Sequence, residues 1–285
     1  MAILTTRFAP SPTGRLHLGH AHSALFAWSE AKRQAGRFLL RIEDIDRARC
    51  RAEFEAGILE DLRWLGLSWA EPVRRQSEHF ADYAAALRRL EEMGVLYSCF
   101  CSRAEIAAAG QAPHGLEHGG YPGTCRGLDP GLRAARIAAG RPYALRLDAA
   151  EAALRTGPLA FTDGTHGTVP VDPGLLGDVV LARKDTPTSY HLAVTVDDAL
   201  QEVTLVTRGE DLLPATHVHR LLQALLGLPE PAYRHYPLLA DESGKRLSKR
   251  HGALALRALR EAGLNPAQAR ARAGFPELQP SPQPR

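Results

Sequence analysis

The sequence RFAPSPTGRLHLGH, residues 7–20, joins a β-prone run at residues 3–8 to a helical pattern of apolar residues. Its prolines and glycine shape a turn, and the backbone N–H groups at the start of the following helix favour a phosphate group. His17 and His20 lie three residues apart around Gly19, so two imidazoles share one face and a ligand ring can pack close to the backbone. This pattern suits nucleotidyl transfer, which requires charge to be stabilised on an α-phosphate. The competing interpretation is two histidines that flank an ordinary helix.

Strands and helices alternate on either side of this turn, as the spacing of apolar residues indicates. Before residue 99, the pattern predicts strands at 3–8, 37–42 and 95–98 and helices at 17–36, 51–65 and 77–93. After residue 189, the alternation resumes with YHLAVTVDD (190–198), VTLVTRG (203–209), a helix near 216–227 and YPLLA (236–240). This order predicts an α/β fold with a parallel sheet of the Rossmann type.

Residues 99–189 interrupt the alternation, because they combine Gly, Pro and Ala with short β-like pieces. We interpret them as an insertion, so that the catalytic domain consists of residues 1–98 and 190–240. Residues 241–285 form a third part, which holds a polar loop, two short helical stretches at 252–263 and 266–273, and a loose tail.

The composition is that of a soluble globular protein, with 285 residues, 45% apolar and 24% charged. A run of about 18 apolar residues, as a membrane span needs, does not occur in the sequence. The first ten residues, MAILTTRFAP, lack the plan of a signal peptide. We therefore expect a cytoplasmic enzyme without a membrane partner. The net charge of +3 neither demands nor excludes a nucleic-acid partner.

The loop DESGKRLSKR, residues 241–250, is rich in basic side chains. The chain has 31 arginines and only four lysines, yet Lys245 and Lys249 both lie in this loop. A compact ammonium group at these positions suits the binding of a polyphosphate, and Lys249 would balance charge on a leaving pyrophosphate. The competing interpretation is a solvated basic loop.

Three of the four cysteines fall within 27 residues, namely Cys99, Cys101 and Cys125. In a cytoplasmic chain this clustering indicates a metal site rather than a disulfide, and three thiolates suit tetrahedral zinc. From spacing alone, His114 or His118 is the more common kind of fourth ligand. The competing interpretation is three small buried apolar residues. We assign no role to Cys50.

The HLGH and RLSKR sequences, at residues 17–20 and 246–250, resemble the signature pair of class I aminoacyl-tRNA synthetases. Three further segments, together with the APSPTG turn, closely resemble glutamyl-tRNA synthetases: LRIEDID (40–46), YHLAVTVDD (190–198) and VTRGEDLL (206–213). The turn favours a glutamate enzyme over a glutamine enzyme. The resemblance covers roughly residues 3–252, in the same order as in that family.

This resemblance implies a role for each matching residue. It implies glutamate binding by Arg7, Ala9, Ser11, Glu43, Tyr190 and Arg208. It implies catalysis by His17, His20 and Lys249, and binding of ATP, with magnesium, by these three and by Gly19, Arg246, Leu247 and Ser248. Arginine forks suit carboxylates, and Glu43 would accept the α-ammonium group. Which arginine binds which carboxylate is left open.

Only 35 residues follow Arg250, so a helical anticodon-binding domain is not expected. This short form resembles the glutamyl-Q tRNA(Asp) synthetases, which activate glutamate without tRNA and transfer it to the queuosine base of tRNA(Asp). The resemblance also implies one structural zinc ion with Tyr121 as the fourth ligand, an insertion that contacts RNA, and a monomer.

Three other functions compete with this one. The first is a truncated glutamyl-tRNA synthetase that charges a tRNA 3′ end. The second is a different nucleotidylyltransferase with the same histidine motif, and the third is a non-catalytic RNA-binding module derived from a synthetase.

Overall fold

A computed structural model describes residues 3–102, 104–106, 121–239 and 254–278 of the chain. The strands of this part of the chain are β1 (Thr5–Phe8), β2 (Arg37–Ile42), β3 (Ala70–Arg75), β4 (Leu96–Cys99), β5 (Ala144–Leu147), β6 (Ala160–Asp163), β7 (Gly167–Pro170), β8 (Val180–Ala182), β9 (Leu205–Gly209) and β10 (Ala232–Tyr236). Its α-helices are α1 (Leu18–Arg33), α2 (Ala52–Trp64), α3 (Phe80–Glu92), α4 (Pro130–Ala138), α5 (Ala149–Thr156), α6 (Tyr190–Leu200), α7 (Leu213–Leu226), α8 (Leu256–Glu261) and α9 (Pro266–Arg272).

The catalytic half of the fold is built on parallel strands, as predicted. Strands β1, β2 and β3 pair in that order, and β9, β10 and β6 form a second parallel set. The two sets meet at β1, where the backbone N–H of Thr204 donates to the carbonyl oxygen of Thr5 at 3.0 Å. The sequence pattern missed β3, because its residues AEPVRR are polar and include a proline, which is tolerated only at a sheet edge.

Two apolar cores support this sheet. One contains buried side chains of α1, α2 and the β1–β2 strands, such as Leu25, Trp28 and Leu62. The other joins α3, α5, α6 and α7 through residues such as Tyr83 and Leu192. Entry into β2 requires Gly36, because a Cβ atom there would lie 2.3 Å from the carbonyl oxygen of Leu4.

Strand β4 was expected in the parallel sheet, but it lies elsewhere. It forms an antiparallel sheet with β5 and β8, and it ends at Cys99. Strands β6 and β7 come from the same 99–189 segment, yet β6 pairs with β10 at Asp163 and Tyr233. Strand β6 of the 99–189 segment therefore joins the same sheet as β9 and β10.

The C-terminal helices pack against the start of α1. The backbone N–H of Leu256 donates to the carbonyl oxygen of Leu16 at 2.8 Å, and Ala255 forms an isolated bridge with His17. Helices α8 and α9 contribute Leu256 and Ala269 to the core of α1. Among the described residues, no helix is long and apolar enough to span a membrane.

Candidate active site

A cavity of about 520 Å³ opens beyond the carboxyl ends of the parallel strands. This edge is where open α/β sheets bind their ligands. The structure brings together nine of the residues that the sequence predicted, which all line the cavity: Arg7, Ala9, Ser11, His17, Gly19, His20, Glu43, Tyr190 and Arg208. Residues that the sequence did not predict also line it, among them His22, Ser23, Thr207, Asp211 and Tyr236.

His17 and His20 form a reciprocal cap at the start of α1. The Nδ1 atom of His17 accepts from the backbone N–H of Gly19 at 3.1 Å, and the Nδ1 atom of His20 accepts from the backbone N–H of His17 at 3.2 Å. In a neutral imidazole that accepts at Nδ1, the hydrogen lies on Nε2. Both rings are therefore set as Nε2–H donors, which is the form that stabilises developing negative charge.

Arg7 is tied into a buried ion pair. Its Nε atom donates to Oδ1 of Asp198 at 2.9 Å, its Nη2 atom donates to Oδ2 at 3.3 Å, and its Nη1 atom donates to the carbonyl oxygen of Thr207 at 3.2 Å. Arg41, which is fully buried, donates to the same Asp198 carboxylate at 2.6 Å. Part of the charge of Arg7 is therefore already offset within the protein.

Glu43 follows β2 and faces the cavity with a 14% exposed side chain. Burial raises the pKa of Glu43 to about 7, although the positive charges of Arg41 and Arg7 oppose this rise. Its Oε1 atom lies 3.9 Å from the Nε atom of Arg41. This Nε atom has no hydrogen-bond partner among the described residues. A carboxylate in this position gains from a bound cation, because the cation would offset its loss of hydration.

Arg208, at 5% exposure, has a different environment from Arg7. Its four side-chain partners among the described residues are all neutral: Tyr190 Oη at 3.5 Å, His219 Nδ1 at 3.2 Å, Thr216 Oγ1 at 2.7 Å and His235 Nε2 at 3.3 Å. In that part of the chain it forms no ion pair with a carboxylate. A buried guanidinium with these neutral partners, in the wall of a cavity, has the chemistry to bind an anionic group.

The sequence did not single out the buried charges behind the cavity. Asp197, at 0% exposure, accepts from Arg74 at 2.7 Å, from Gln76 at 2.9 Å and from the hydroxyl of Tyr83 at 2.9 Å. Arg41, Asp197 and Asp198 were part of segments that carried the resemblance. The only sequence signals for these buried charges were the adjacent acidic residues Asp197 and Asp198 and the position of Arg41 in LRIED. Charged residues on the protein surface give the same kind of pattern, so these signals do not indicate burial.

The predicted loop residues Arg246, Leu247, Ser248 and Lys249 lie outside the described residues, as do His114 and His118. The chain enters the interval from 240 to 253 at Leu239, which lines the cavity. It leaves that interval at Leu254, next to the Ala255 bridge to His17. Both ends of the interval therefore lie at the candidate active site.

The three clustered cysteines come together as a candidate metal centre. The Sγ atoms of Cys99, Cys101 and Cys125 lie within 4.8 Å of one another, and those of Cys101 and Cys125 are 3.5 Å apart. Thiolates about 2.3 Å from a tetrahedral zinc ion would lie about 3.8 Å apart, so the three sulfur atoms fit such an ion. We call these residues the cysteine cluster.

Tyr121, which only the family resemblance had suggested as the fourth ligand, lies at this cluster. Its hydroxyl is 3.4 Å from Sγ of Cys99 and 3.7 Å from Sγ of Cys101. The guanidinium of Arg146 stacks 3.7 Å above the centre of the Tyr121 ring, which fixes the ring against β5. The hydroxyl is thus in reach of a metal ion held by the three sulfur atoms.

Comparison with known proteins agrees with this geometry. Residues 3–273 match the family of class I tRNA synthetases (E and Q), catalytic domain. The chain belongs to this family of class I synthetases.

Two curated relatives are both named glutamyl-Q tRNA(Asp) synthetase. The protein of Rhodobacter capsulatus is 50% identical, over 94% of this chain and 98% of the relative. The protein of Symbiobacterium thermophilum is 49% identical, over 93% of this chain and 83% of the relative. A crystal structure of a glutamate tRNA ligase from Elizabethkingia meningosepticum, in complex with its amino acid, has a TM-score of 0.80 at 29% identity. That match covers 95% of this chain and 60% of the ligase chain.

Proposed function

We propose that the chain activates glutamate with ATP, without tRNA, and transfers the glutamyl group to the queuosine base of tRNA(Asp). The names and the nearly full coverage of the two curated relatives support this acceptor. The observation that carries the first half-reaction is the cavity itself. It combines an arginine whose hydrogen-bond partners among the described residues are all neutral, a carboxylate whose pKa is raised, and the paired imidazoles of the HLGH sequence.

The cavity has a complementary group for each charge of glutamate. Glu43 would accept the α-ammonium group, and Arg208 with Tyr190 would bind a carboxylate. We assign the side-chain carboxylate to Arg208, because a carboxylate held by a guanidinium without a counter-ion is a poor nucleophile and the α-carboxylate must react. Arg7, whose charge Asp198 offsets, would orient the α-carboxylate, and Ala9 and Ser11 would line the same turn.

The proposed reaction is in-line attack of the α-carboxylate oxygen on the α-phosphorus of ATP. The bond to the bridging oxygen breaks and pyrophosphate leaves with magnesium. His17 and His20, as Nε2–H donors, would stabilise charge on the α-phosphate, with Gly19 allowing ATP close to the backbone. Lys249 would stabilise the leaving pyrophosphate, and the neighbouring loop residues Arg246, Leu247 and Ser248 would bind ATP. A hydroxyl of the queuosine ring then attacks the adenylate carbonyl, and AMP leaves.

We also propose one zinc ion in the cysteine cluster, with Tyr121 as the fourth ligand. The separations of the sulfur atoms and of the hydroxyl support this donor set. The ion would hold the loop between β4 and β5 in place, and the 99–189 segment would contact the RNA. We propose that the enzyme acts in the cytoplasm, where ATP and tRNA are available, and that it acts as a monomer.

Two assays test the proposed function in sequence. The first is glutamate-dependent exchange of labelled pyrophosphate into ATP in the absence of tRNA, which tests the activation step. The second is transfer of labelled glutamate to tRNA(Asp) prepared with and without queuosine. Label on the queuosine-containing tRNA alone is the expected result.

Label on both forms of tRNA would indicate charging of the 3′ end instead. Exchange without label on either tRNA would leave glutamate activation standing and remove this acceptor. No exchange with glutamate would refute the activation itself, and it would favour a different nucleotidylyltransferase or an RNA-binding module.

A further inference from the structure

A chain of hydrogen bonds runs from β6 to the cavity through two neighbouring strands. Asp163, at the end of β6, is fully buried, and its Oδ2 atom lies 2.5 Å from Nδ1 of His235 on β10. His235 is the cross-strand partner of Arg208 on β9, and its Nε2 atom lies 3.3 Å from Nε of Arg208. The sheet register therefore brings a carboxylate, an imidazole and a guanidinium into line.

The chemistry of the donors fixes the tautomer of His235. A guanidinium can only donate, so Nε2 of His235 must accept and carries no hydrogen. The hydrogen then lies on Nδ1, where it is donated to Asp163. Asp163 is held in turn, since its Oδ1 atom accepts from the backbone N–H groups of Thr165 at 2.8 Å and His166 at 3.0 Å.

A second imidazole chain holds the opposite side of the guanidinium. Nδ1 of His219 lies 3.2 Å from Nη1 of Arg208, so it also accepts, and its Nε2 atom lies 3.2 Å from Nδ1 of His191. Burial and the charge of Arg208 lower the pKa of both His219 and His191. These partners hold the guanidinium in place without cancelling its charge.

We infer that His235, oriented by Asp163, is a positioning residue that fixes the guanidinium of Arg208 for the side-chain carboxylate of the amino-acid substrate. Hydrogen bonds to Tyr190, His219, Thr216 and His235 occupy four of the five N–H bonds of Arg208. Within the described ranges, the fifth N–H, on Nη2, and the hydrogen of the Tyr190 hydroxyl have no acceptor, and both face the ligand in the proposed binding mode. Because the positive charge is retained, this arrangement favours a carboxylate over the neutral amide of glutamine. The inference rests on the proposed function.

Two substitutions of His235 separate positioning from simple structural support. His235→Gln places an amide near the Nε2 position, so it can keep an acceptor for Arg208 while losing the bond to Asp163. His235→Asn places an amide near the Nδ1 position, so it keeps the bond to Asp163 and loses the acceptor. If His235 positions Arg208, the Gln variant is the milder one. If His235 only supports the fold, the Asn variant is the milder one.

A third variant tests the tautomer without changing size. In Asp163→Asn, the amide oxygen would remain with the backbone N–H groups of Thr165 and His166. This turns the amide nitrogen toward His235 and removes the bond that the backbone N–H of His235 donates to Oδ2 at 3.2 Å. That nitrogen is a donor, so His235 would accept at Nδ1 and present an Nε2–H group to the Nε–H group of Arg208. We therefore expect Asp163→Asn to impair glutamate binding as His235→Asn does.

The readout is pyrophosphate exchange, with separate KM values for glutamate and ATP. We expect His235→Asn and Asp163→Asn to raise the KM for glutamate about tenfold, with the KM for ATP unchanged and discrimination against glutamine reduced. The matched control is His217→Asn, because His217 is another buried histidine, whose Nδ1 atom accepts from the backbone N–H of Asp172 at 2.9 Å. It should leave both KM values unchanged. A milder Asn than Gln variant at position 235, or equal shifts in both KM values, would overturn the inference.

The nitrogen chemical shifts of His235 provide a measurement that needs neither activity nor a variant. In the wild-type protein, ¹⁵N NMR should show the hydrogen on Nδ1, and a hydrogen on Nε2 would overturn the inference. If the wild type lacks glutamate-dependent exchange, the proposed function fails. The NMR result then still decides whether His235 is oriented as inferred.

Discussion

Replacing Glu43 by Gln should weaken glutamate binding and, at the same time, stabilise the empty protein. Glu43 lies in the cavity wall 3.9 Å from Arg41, and burial raises its pKa to about 7. The empty site therefore holds a carboxylate that is poorly solvated, and the substrate ammonium group would restore the interaction that burial removes. The amide of glutamine fits the same space without charge.

The first expected effect of Glu43→Gln is a loss of affinity for glutamate. A hydrogen bond to a charged group contributes about 1.5–3 kcal/mol, so Glu43→Gln should weaken glutamate binding by about 10- to 100-fold at pH 8. With a pKa of about 7, Glu43 is ionised in roughly one molecule in ten at pH 6. Because only the ionised form would bind the ammonium group, wild-type affinity should fall about tenfold between pH 8 and pH 6. The affinity of the variant should be nearly constant over that range.

The second expected effect of Glu43→Gln is a gain in the stability of the empty protein. A carboxyl group whose folded-state pKa is raised binds more protons in the folded than in the unfolded state, so its contribution to stability is present at low pH. That contribution is lost as pH rises from the unfolded value of 4.5 through about 7. At 1.36 kcal/mol per pKa unit, the loss at pH 8 is about 3 kcal/mol. Glu43→Gln should recover most of it in the empty protein.

Calorimetric titration of glutamate at several pH values, without ATP, measures the affinity, and urea unfolding at pH 8 measures the stability. Omitting ATP keeps the histidines of the HLGH sequence from affecting the profile through phosphate binding. If the variant bound glutamate with the same pH dependence as the wild type, Glu43 would not be the ammonium ligand. If the variant were less stable than the wild type at pH 8, burial would not destabilise the ionised form of Glu43 as inferred.

Three further predictions concern the loop, the ion pair and the metal centre. Lys249→Ala should lower the rate of pyrophosphate exchange by about 100-fold or more with unchanged unfolding, and near-normal exchange would remove Lys249 from the mechanism. Asp198→Asn leaves Arg7 and Arg41 without their shared carboxylate, so urea unfolding should show a loss of about 3–5 kcal/mol. The control Asp82→Asn, at a half-exposed ion pair, should cost less than about 1 kcal/mol. Elemental analysis should find one zinc ion per chain, and its chelation should destabilise the region around the cysteine cluster; metal-free protein of full stability would contradict this.

Local patterns were enough to predict part of the cavity wall from the sequence. The turn from β1 to α1 is continuous in the chain, so the spacing of His17 and His20 indicated a site, whereas Ala9 and Ser11 were assigned from the resemblance of the same segment to glutamyl-tRNA synthetases. The residues behind the wall could not be found in this way. Asp163 and His235 are 72 residues apart, and they meet only because β6 joins the sheet beside β10.

Buried charges were the second limit, since charged residues are usually exposed and a sequence gives no sign of the exception. Arg74 and Asp197 are 123 residues apart and look like surface residues of an edge strand and a helix. They meet only in the fold, where Arg74 of β3 donates to the buried Asp197 of α6 at 2.7 Å. The prediction that β4 belongs to the parallel sheet was wrong for the same reason, because pairing depends on partners far away in the chain.

Arg7 and Arg208, the two arginines of the cavity, differ in the charge of their neighbours, and this difference bears on the choice between glutamate and glutamine. Asp198 offsets the charge of Arg7, so a ligand carboxylate there gains orientation but little charge neutralisation. In the part of the chain that the structure describes, Arg208 has only neutral acceptors as hydrogen-bond partners, so an anionic ligand there would gain charge neutralisation as well as orientation. A buried cation without a counter-ion destabilises the empty site and discriminates strongly against a neutral ligand. In the proposed binding mode, glutamine is rejected without steric exclusion, because its neutral amide would not neutralise the buried charge of Arg208.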